Sequence, residues 1–179
     1  VMSFLADAGL AFLFAAPIFL SNAFPTVYGG GFPVDFYKKM SDGKRIFGDH
    51  KTWQGLFVGI FFGFLTGIII WYIIGDTFIS RYGHLGFKYP FWIGLLMGWG
   101  CNFGDLLGSF IKRRINIPSG GKFPVFDQMG YMVFGLLWSW PAFRVIPWQF
   151  WVTLLLIGPL MHILANFLAF AVKAKSVPW

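Results

Sequence analysis

The chain has 179 residues, 57% of them hydrophobic and 12% charged, and its 14 lysines and arginines outnumber its 7 acidic residues. A soluble domain carries about 25% charged residues, so this composition excludes a soluble globular enzyme, a disordered chain and a nucleic-acid-binding domain. It is typical of a protein in the lipid bilayer. There an excess of basic residues marks cytoplasmic loops, contacts anionic lipid headgroups or binds an anionic substrate.

Charge-free runs of the sequence predict five transmembrane helices in a single all-α integral membrane domain, residues 1–179. The predicted helices span about 4–25, 53–75, 90–111, 126–143 and 148–172. The fourth run is short for a span of about 20 residues, whereas Pro147 suits the start of the fifth helix. Two polar loops, 26–52 and 112–126, connect the first helix to the second and the third to the fourth.

The distribution of basic residues predicts the topology of these helices. Most bases lie in the two polar loops and the C-terminal tail, namely Lys38, Lys39, Lys44, Arg45, Lys51, Lys112, Arg113, Arg114, Lys122, Lys173 and Lys175. The opposite side carries Arg81, Lys88 and Arg144. The positive-inside rule therefore places both loops and the C-terminus in the cytoplasm, and the N-terminus outside the cell membrane.

Glycines recur every four residues in the second and third predicted helices. They are Gly55, Gly59, Gly63 and Gly67 in the second helix, and the pairs Gly94 and Gly98, and Gly104 and Gly108, in the third. Such stripes let helix backbones approach closely. We expect contacts between helices of one chain, with a homodimer face as the alternative.

The first polar loop has the composition of an anion-binding segment. Gly29, Gly30 and Gly31 let backbone amides approach an anion, and five bases follow them. Three acids, at positions 35, 42 and 49, are interspersed among the bases. This mixture favours a ligand-binding loop, and the alternative is a basic loop that only touches lipid phosphates.

An acidic residue within the third predicted helix indicates a functional site. Asp105 shares one helix face with Ser109 and Lys112, and a carboxylate at membrane depth is functional by default. Asp127 follows at the far end of a basic loop that also contains Lys122. Two carboxylates around a basic, glycine-containing loop suit Mg²⁺ with a nucleotide polyphosphate. An internal salt bridge to lysine or arginine is the structural alternative for Asp105.

Two segments resemble the CDP-archaeol synthase family. One is DGKRIFGDHKTW at residues 42–53, and the other runs from GDLLGSFIKRR at 104–114 to Asp127 and Gln128. Asn22, Pro25 and the triple glycine extend the resemblance over most of the chain. The second pattern is also similar to the wider CDP-diacylglycerol synthases, which are integral-membrane cytidylyltransferases. This chain is much shorter than those enzymes, and Gln128 stands where they have a basic residue.

The resemblance implies that CTP and an unsaturated archaetidic acid, digeranylgeranylglyceryl phosphate, yield CDP-archaeol and pyrophosphate. It implies Mg²⁺ held by Asp105 and Asp127, with Lys122 as a further catalytic residue. The nucleotide- and phosphate-binding residues implied are Gly30, Gly31, Lys44, Arg45, Asp49, Lys51, Ser109, Lys112 and Arg113. Asn22 and Arg114 are expected at the lipid headgroup, although Asn22 could equally hydrogen-bond between helices.

Two other functions fit part of the sequence. A small channel or carrier with a basic cytoplasmic mouth would need polar residues along a continuous pore, but the outer halves of the predicted helices are almost purely apolar. A different lipid transferase, such as a membrane acyltransferase, commonly uses a catalytic histidine. His50 is the histidine in the cytoplasmic loops, and the sequence suggests no partner for it.

Overall fold

The computed structural model of the chain describes residues 2–124, 126–142 and 145–173. The described part forms five α-helices joined by loops and two short 3-10 turns. The helices are α1 (Met2–Tyr28), α2 (Trp53–Tyr82), α3 (Ile93–Arg114), α4 (Phe126–Ser139) and α5 (Trp148–Ala171). Three stretches, Phe4–Tyr28, Trp53–Leu85 and Trp148–Ala171, are long and apolar enough to cross a membrane. The chain is thus an all-helical membrane protein.

Helix bounds differ from the predicted ones mainly where a charge was taken as a helix end. Helix α2 continues past the predicted end at 75 to Tyr82, and Asp76 is exposed, so its charge does not have to fit into the packed bundle. Helix α3 begins at Ile93 instead of 90 and includes the bases up to Arg114. Helix α4 ends at Ser139, before a 3-10 turn that contains Pro141. The predicted end at 143 lies outside the described residues.

Glycine faces bring α2, α3 and α4 into backbone contact. A Cβ atom added to Gly67 would lie 2.6 Å from the Cα of Gly94, so α2 and α3 touch directly there. Farther along α3, a Cβ added to Gly104 would lie 2.6 Å from the carbonyl oxygen of Gly130 in α4. The expected packing within one chain is confirmed at these positions, since side chains there would force the helices apart, whereas a Cβ added to Gly108 meets no neighbour within 4 Å.

A buried aromatic cluster fills the end of the bundle away from the two polar loops. Its members are Phe14, Phe78, Phe87, Tyr89 and Phe150, each at most 2% exposed. The rings of Phe14 and Phe150 have centroids 5.3 Å apart, and those of Phe78 and Tyr89 are stacked at 5.0 Å. The cluster fixes α1, α2 and α5 at one end, so the polar loops converge at the other end.

Candidate active site where the two polar loops meet

Asp35 organises the first polar loop. Its buried carboxylate accepts hydrogen bonds from Arg45 Nη2 at 2.6 Å and Arg45 Nε at 3.2 Å. The backbone N–H groups of Phe47 and Gly48 donate to the same carboxylate at 3.0 and 3.1 Å. One buried charge therefore fixes the loop on both sides of the basic motif.

The surroundings of Asp35 keep its carboxylate ionised at neutral pH. Burial raises its pKa, but the hydrogen bonds from Arg45 and from the N–H groups of Phe47 and Gly48 outweigh burial and lower the pKa to about 2. The hydrogen bond to Asp35 in turn raises the pKa of Arg45. Asp35 was recognised in the sequence as one of three loop acids, and nothing in its spacing distinguished it from Asp42 or Asp49.

The C-terminal bases of α3 tie the first loop to the second. Arg114 Nη2 donates to the carbonyl of Arg45 at 2.6 Å, and Lys44 Nζ donates to the carbonyl of Arg114 at 3.1 Å. Arg114 also pairs with Asp42 at 3.2 Å. Arg113 is buried and donates to the carbonyl oxygen of Phe47 at 3.3 Å. In this structure both arginines hold protein groups, and their assignment to phosphate and lipid headgroup stays a prediction.

Gly48 allows this close approach of the two loops. Its φ of 102° favours glycine, and an added Cβ would lie 2.9 Å from Arg113 Nη1 and 3.1 Å from the hydroxyl of Ser119. A side chain at this position would strain the backbone and push the Arg113 guanidinium and Ser119 aside.

Two lysine–aspartate pairs lie beside the joined loops. Lys51, which precedes α2, hydrogen-bonds to Asp105 of α3. Lys112 of α3 donates to Asp127 of α4 at 2.8 Å, and the N–H of Phe123 donates to the same carboxylate at 2.9 Å. Both side-chain carboxylates reach solvent-accessible space, since Asp105 is 43% and Asp127 28% exposed. The internal salt bridge that was the structural alternative for Asp105 thus occurs together with an accessible carboxylate.

An open space adjoins α3 between the two pairs. Gly108 is buried, yet a Cβ added to it would meet no atom within 4 Å. The glycines at 94 and 104 on the same helix are filled by neighbouring backbone instead. Gly108 therefore borders a hollow, and it lies one turn before Lys112 on α3.

The remaining predicted site residues lie in the two polar loops and on α1 and α3. Gly31 adopts a φ of 73°, and the N–H of Gly30 donates to Thr52, the N-cap residue of α2. Asp49 is exposed and accepts a hydrogen bond from Arg45 at 2.5 Å. Lys122 is exposed and Ser109 is buried. Asn22 Nδ2 lies 3.5 Å from Nδ1 of His162 in α5, which matches the expected alternative of a contact between helices.

The chemistry of the donor set fits a magnesium ion bound together with a substrate. Within the described ranges no group of three acidic, histidine or cysteine side chains forms a ready metal site. Mg²⁺ commonly uses one or two carboxylates and completes its shell with waters and substrate phosphates. Asp105 and Asp127 are accessible carboxylates of that kind, and each already has a cation beside it.

Known proteins resemble this chain over nearly its full length. The family model described as CarS-like, CDP-archaeol synthase, matches residues 7–179. The CDP-archaeol synthase of Pyrococcus abyssi is 43% identical over 169 residues, which cover 94% of this chain and 96% of that protein. The CDP-archaeol synthase of Methanococcus aeolicus is 37% identical over 173 residues, covering 94% and 95% of the two chains.

A solved structure also has a similar fold. It is described as "Structural insight into an intramembrane enzyme for archaeal membrane lipids biosynthesis". It superposes with a TM-score of 0.66 at 26% identity and covers 92% of this chain and 93% of its own. Sequence and fold thus agree on the same class of membrane enzyme.

Proposed function

The chain belongs to the CDP-archaeol synthase family, and from this premise we propose that it transfers CMP from CTP to digeranylgeranylglyceryl phosphate. The products are CDP-archaeol and pyrophosphate. The observation that carries the proposal is the pair of lysine–aspartate contacts that α3 places beside two joined, basic loops. Such a site neutralises polyphosphate charge and retains accessible carboxylates.

The reaction needs charge neutralisation and positioning more than it needs a base. An oxygen of the lipid phosphate, already ionised at neutral pH, attacks the α-phosphorus of CTP. The bond between the α-phosphorus and the bridging oxygen breaks, and pyrophosphate leaves with the electron pair. In phosphoryl transfer of this kind, catalysis comes mainly from orientation and electrostatic stabilisation.

The residues of the site divide this work. Lys51 and Lys112 neutralise the carboxylates in the free protein and exchange them for substrate phosphate oxygens when CTP binds. Lys44 and Arg45 are held on the first loop by Asp42 and Asp35 and add positive charge at its rim. Bound by Asp105 and Asp127, Mg²⁺ would supply further neutralisation of the departing pyrophosphate. Lys122 of the second loop is exposed and is assigned to the phosphates.

For the membrane, we propose that all five helices cross it and that the joined loops lie in the cytoplasm, where CTP is found. Three stretches have the length and hydropathy for crossing. Helices α3 and α4 pack on them through glycine contacts and carry the polar residues of the site. The N-terminus is then outside the cell membrane and the C-terminus inside. A homodimer stays a prediction, because the glycine faces are used within the chain.

The proposal is tested with Asp105→Asn and Asp127→Asn in purified protein with labelled CTP, the lipid phosphate and Mg²⁺. We expect each variant to lose roughly 100-fold or more in turnover, as is typical when one preorganised electrostatic group is removed. Removal of Mg²⁺ with a chelator should abolish turnover of the wild type.

The matched control is Asp76→Asn, which neutralises an exposed carboxylate at the opposite end of α2. It should retain normal turnover, and thermal melting in detergent should show all three variants folded. Near-normal turnover in either site variant would remove that carboxylate from the mechanism.

A further inference from the structure

A long apolar furrow runs between α1 and α5. Its volume is about 610 Å³, within the range of roughly 300–1,000 Å³ typical of ligand sites. Phe12, Phe19 and Ala23 line it from α1, and Leu164 and Leu168 line it from α5. Both helices have the length and hydropathy to cross a membrane, so the furrow is open to the hydrocarbon of the bilayer.

The furrow extends over the half of the bundle that leads to the polar loops. Its α1 wall runs from Phe12 to Tyr28, the last residue of that helix. Sixteen residue steps along a helix measure roughly 24 Å. One leaflet accounts for about half of the roughly 30 Å hydrocarbon core. The furrow is therefore long enough to hold a whole lipid chain from a single leaflet.

A few polar side chains stand on the otherwise apolar wall. Asn22 of α1 and His162 of α5 both line the furrow, and Asn22 Nδ2 lies 3.5 Å from His162 Nδ1. The ring of Tyr131 from α4 lies 5.6 Å from the His162 ring, and its hydroxyl donates to the carbonyl of Gly158 at 3.1 Å. Asn22, His162 and Tyr131 form a polar cluster part-way along the furrow.

The polar cluster adjoins the helices that carry Asp105 and Asp127. Tyr131 follows Asp127 by one turn of α4. Asn22 follows Ser21, whose hydroxyl accepts a hydrogen bond from Asn102 at 3.1 Å, one turn before Asp105 on α3. Helices α1 and α4 thus border both the furrow and the helix that carries Asp105.

We propose that this furrow binds one isoprenoid chain of the lipid phosphate that accepts CMP. The inference rests on the proposed function and adds the position of the acceptor lipid. The chain lies between α1 and α5, and its glycerol phosphate end extends past Asn22 towards the joined loops. The furrow provides apolar contact for the chain, and the cationic loops provide the complementary charge for its phosphate.

The test fills the furrow and measures the two substrates separately. Ala165→Phe places a large ring on the α5 wall, and Ala23→Phe does so on the α1 wall. Each should raise KM for the long-chain lipid phosphate about tenfold, the loss of contact with about two methylene groups. KM for CTP and turnover of a water-soluble short-chain lipid phosphate should stay at wild-type values. Leu156→Phe, on the exposed face of α5 outside the furrow, is the matched control.

An unchanged KM for the long-chain lipid in both folded variants would overturn the proposal, as would equal loss with the short-chain lipid. A lipid phosphate carrying a photoreactive group in its chain gives a second measurement that does not need turnover. It should label residues 161–172, and unlabelled lipid phosphate should compete, whereas a neutral lipid should not. Equal labelling by a neutral lipid would overturn the proposal, because bulk lipid would then fill the furrow. Loss of a dimer in the Phe variants would also overturn it, because a second copy of the chain would then occupy the furrow. Absent CTP-dependent turnover in the wild type would refute the proposed function, while the labelling would still test the furrow.

Discussion

Replacing Asp35 by asparagine should loosen the loop that carries the basic residues of the site. The carboxylate is fully buried and its pKa falls from 3.8 to about 2. Since a tenfold change in proton affinity corresponds to 1.36 kcal/mol, the ionised form stabilises the folded loop by about 2 kcal/mol. Asp35→Asn should lose about this much, because a neutral amide holds Arg45 and the N–H groups of Phe47 and Gly48 more weakly.

Hydrogen exchange of the amides in residues 44–50 measures this loss directly. At pH 7 the variant should exchange roughly 30-fold faster than the wild type, which is the same free energy expressed as an opening equilibrium. The folded-state pKa is the lower one, so the stabilisation is complete above about pH 4 and declines as the pH falls from 3.8 through 2. Wild type and variant should therefore converge near pH 2.

A control variant separates this effect from general loss of charge. Asp76→Asn removes an exposed carboxylate from α2 and should leave the exchange of residues 44–50 unchanged. Equal protection in wild type and Asp35→Asn at pH 7 would refute the reasoning, as would a difference that persists undiminished at pH 2.

Three further variants test packing, access and topology. Gly94→Ala should lower the free energy of unfolding by about 1–3 kcal/mol, because its Cβ would lie 2.3 Å from a carbonyl oxygen of α2. The control Gly9→Ala meets no neighbour within 4 Å and should melt near the wild-type temperature. Gly108→Leu should fill the hollow beside α3, so it should weaken CTP binding and leave the melting temperature unchanged. An unchanged affinity for CTP would show that CTP does not enter the hollow. In Ser41→Cys the new thiol should react with membrane-impermeant reagents only from the cytoplasmic side, while the native Cys101 is buried and serves as the background control. Labelling from outside would show that the proposed topology is inverted.

Local patterns predicted most of the helical architecture. Charge-free runs located the helices, and four-residue glycine spacing identified the faces of α2 and α3 that touch. The errors occurred at helix ends, where Asp76 was taken as a terminus. A charge is costly inside the bilayer, yet it does not stop the helix itself from continuing, and Asp76 is exposed on α2. Burial depends on the neighbouring helices and cannot be read from the run itself.

The composition and motifs of the sequence determined that this is a membrane protein with acidic residues and a basic loop suited to a nucleotide. Hydropathy and charge are properties of single residues, and the segment 104–114 carries its chemistry in consecutive positions. Only the tertiary structure decided which charges meet. It paired Lys51 with Asp105 across 54 positions, buried Asp35 under Arg45, and turned Arg113 and Arg114 towards the first loop. Pair energies depend on distance and burial, and both arise only when the helices pack and bring distant segments together.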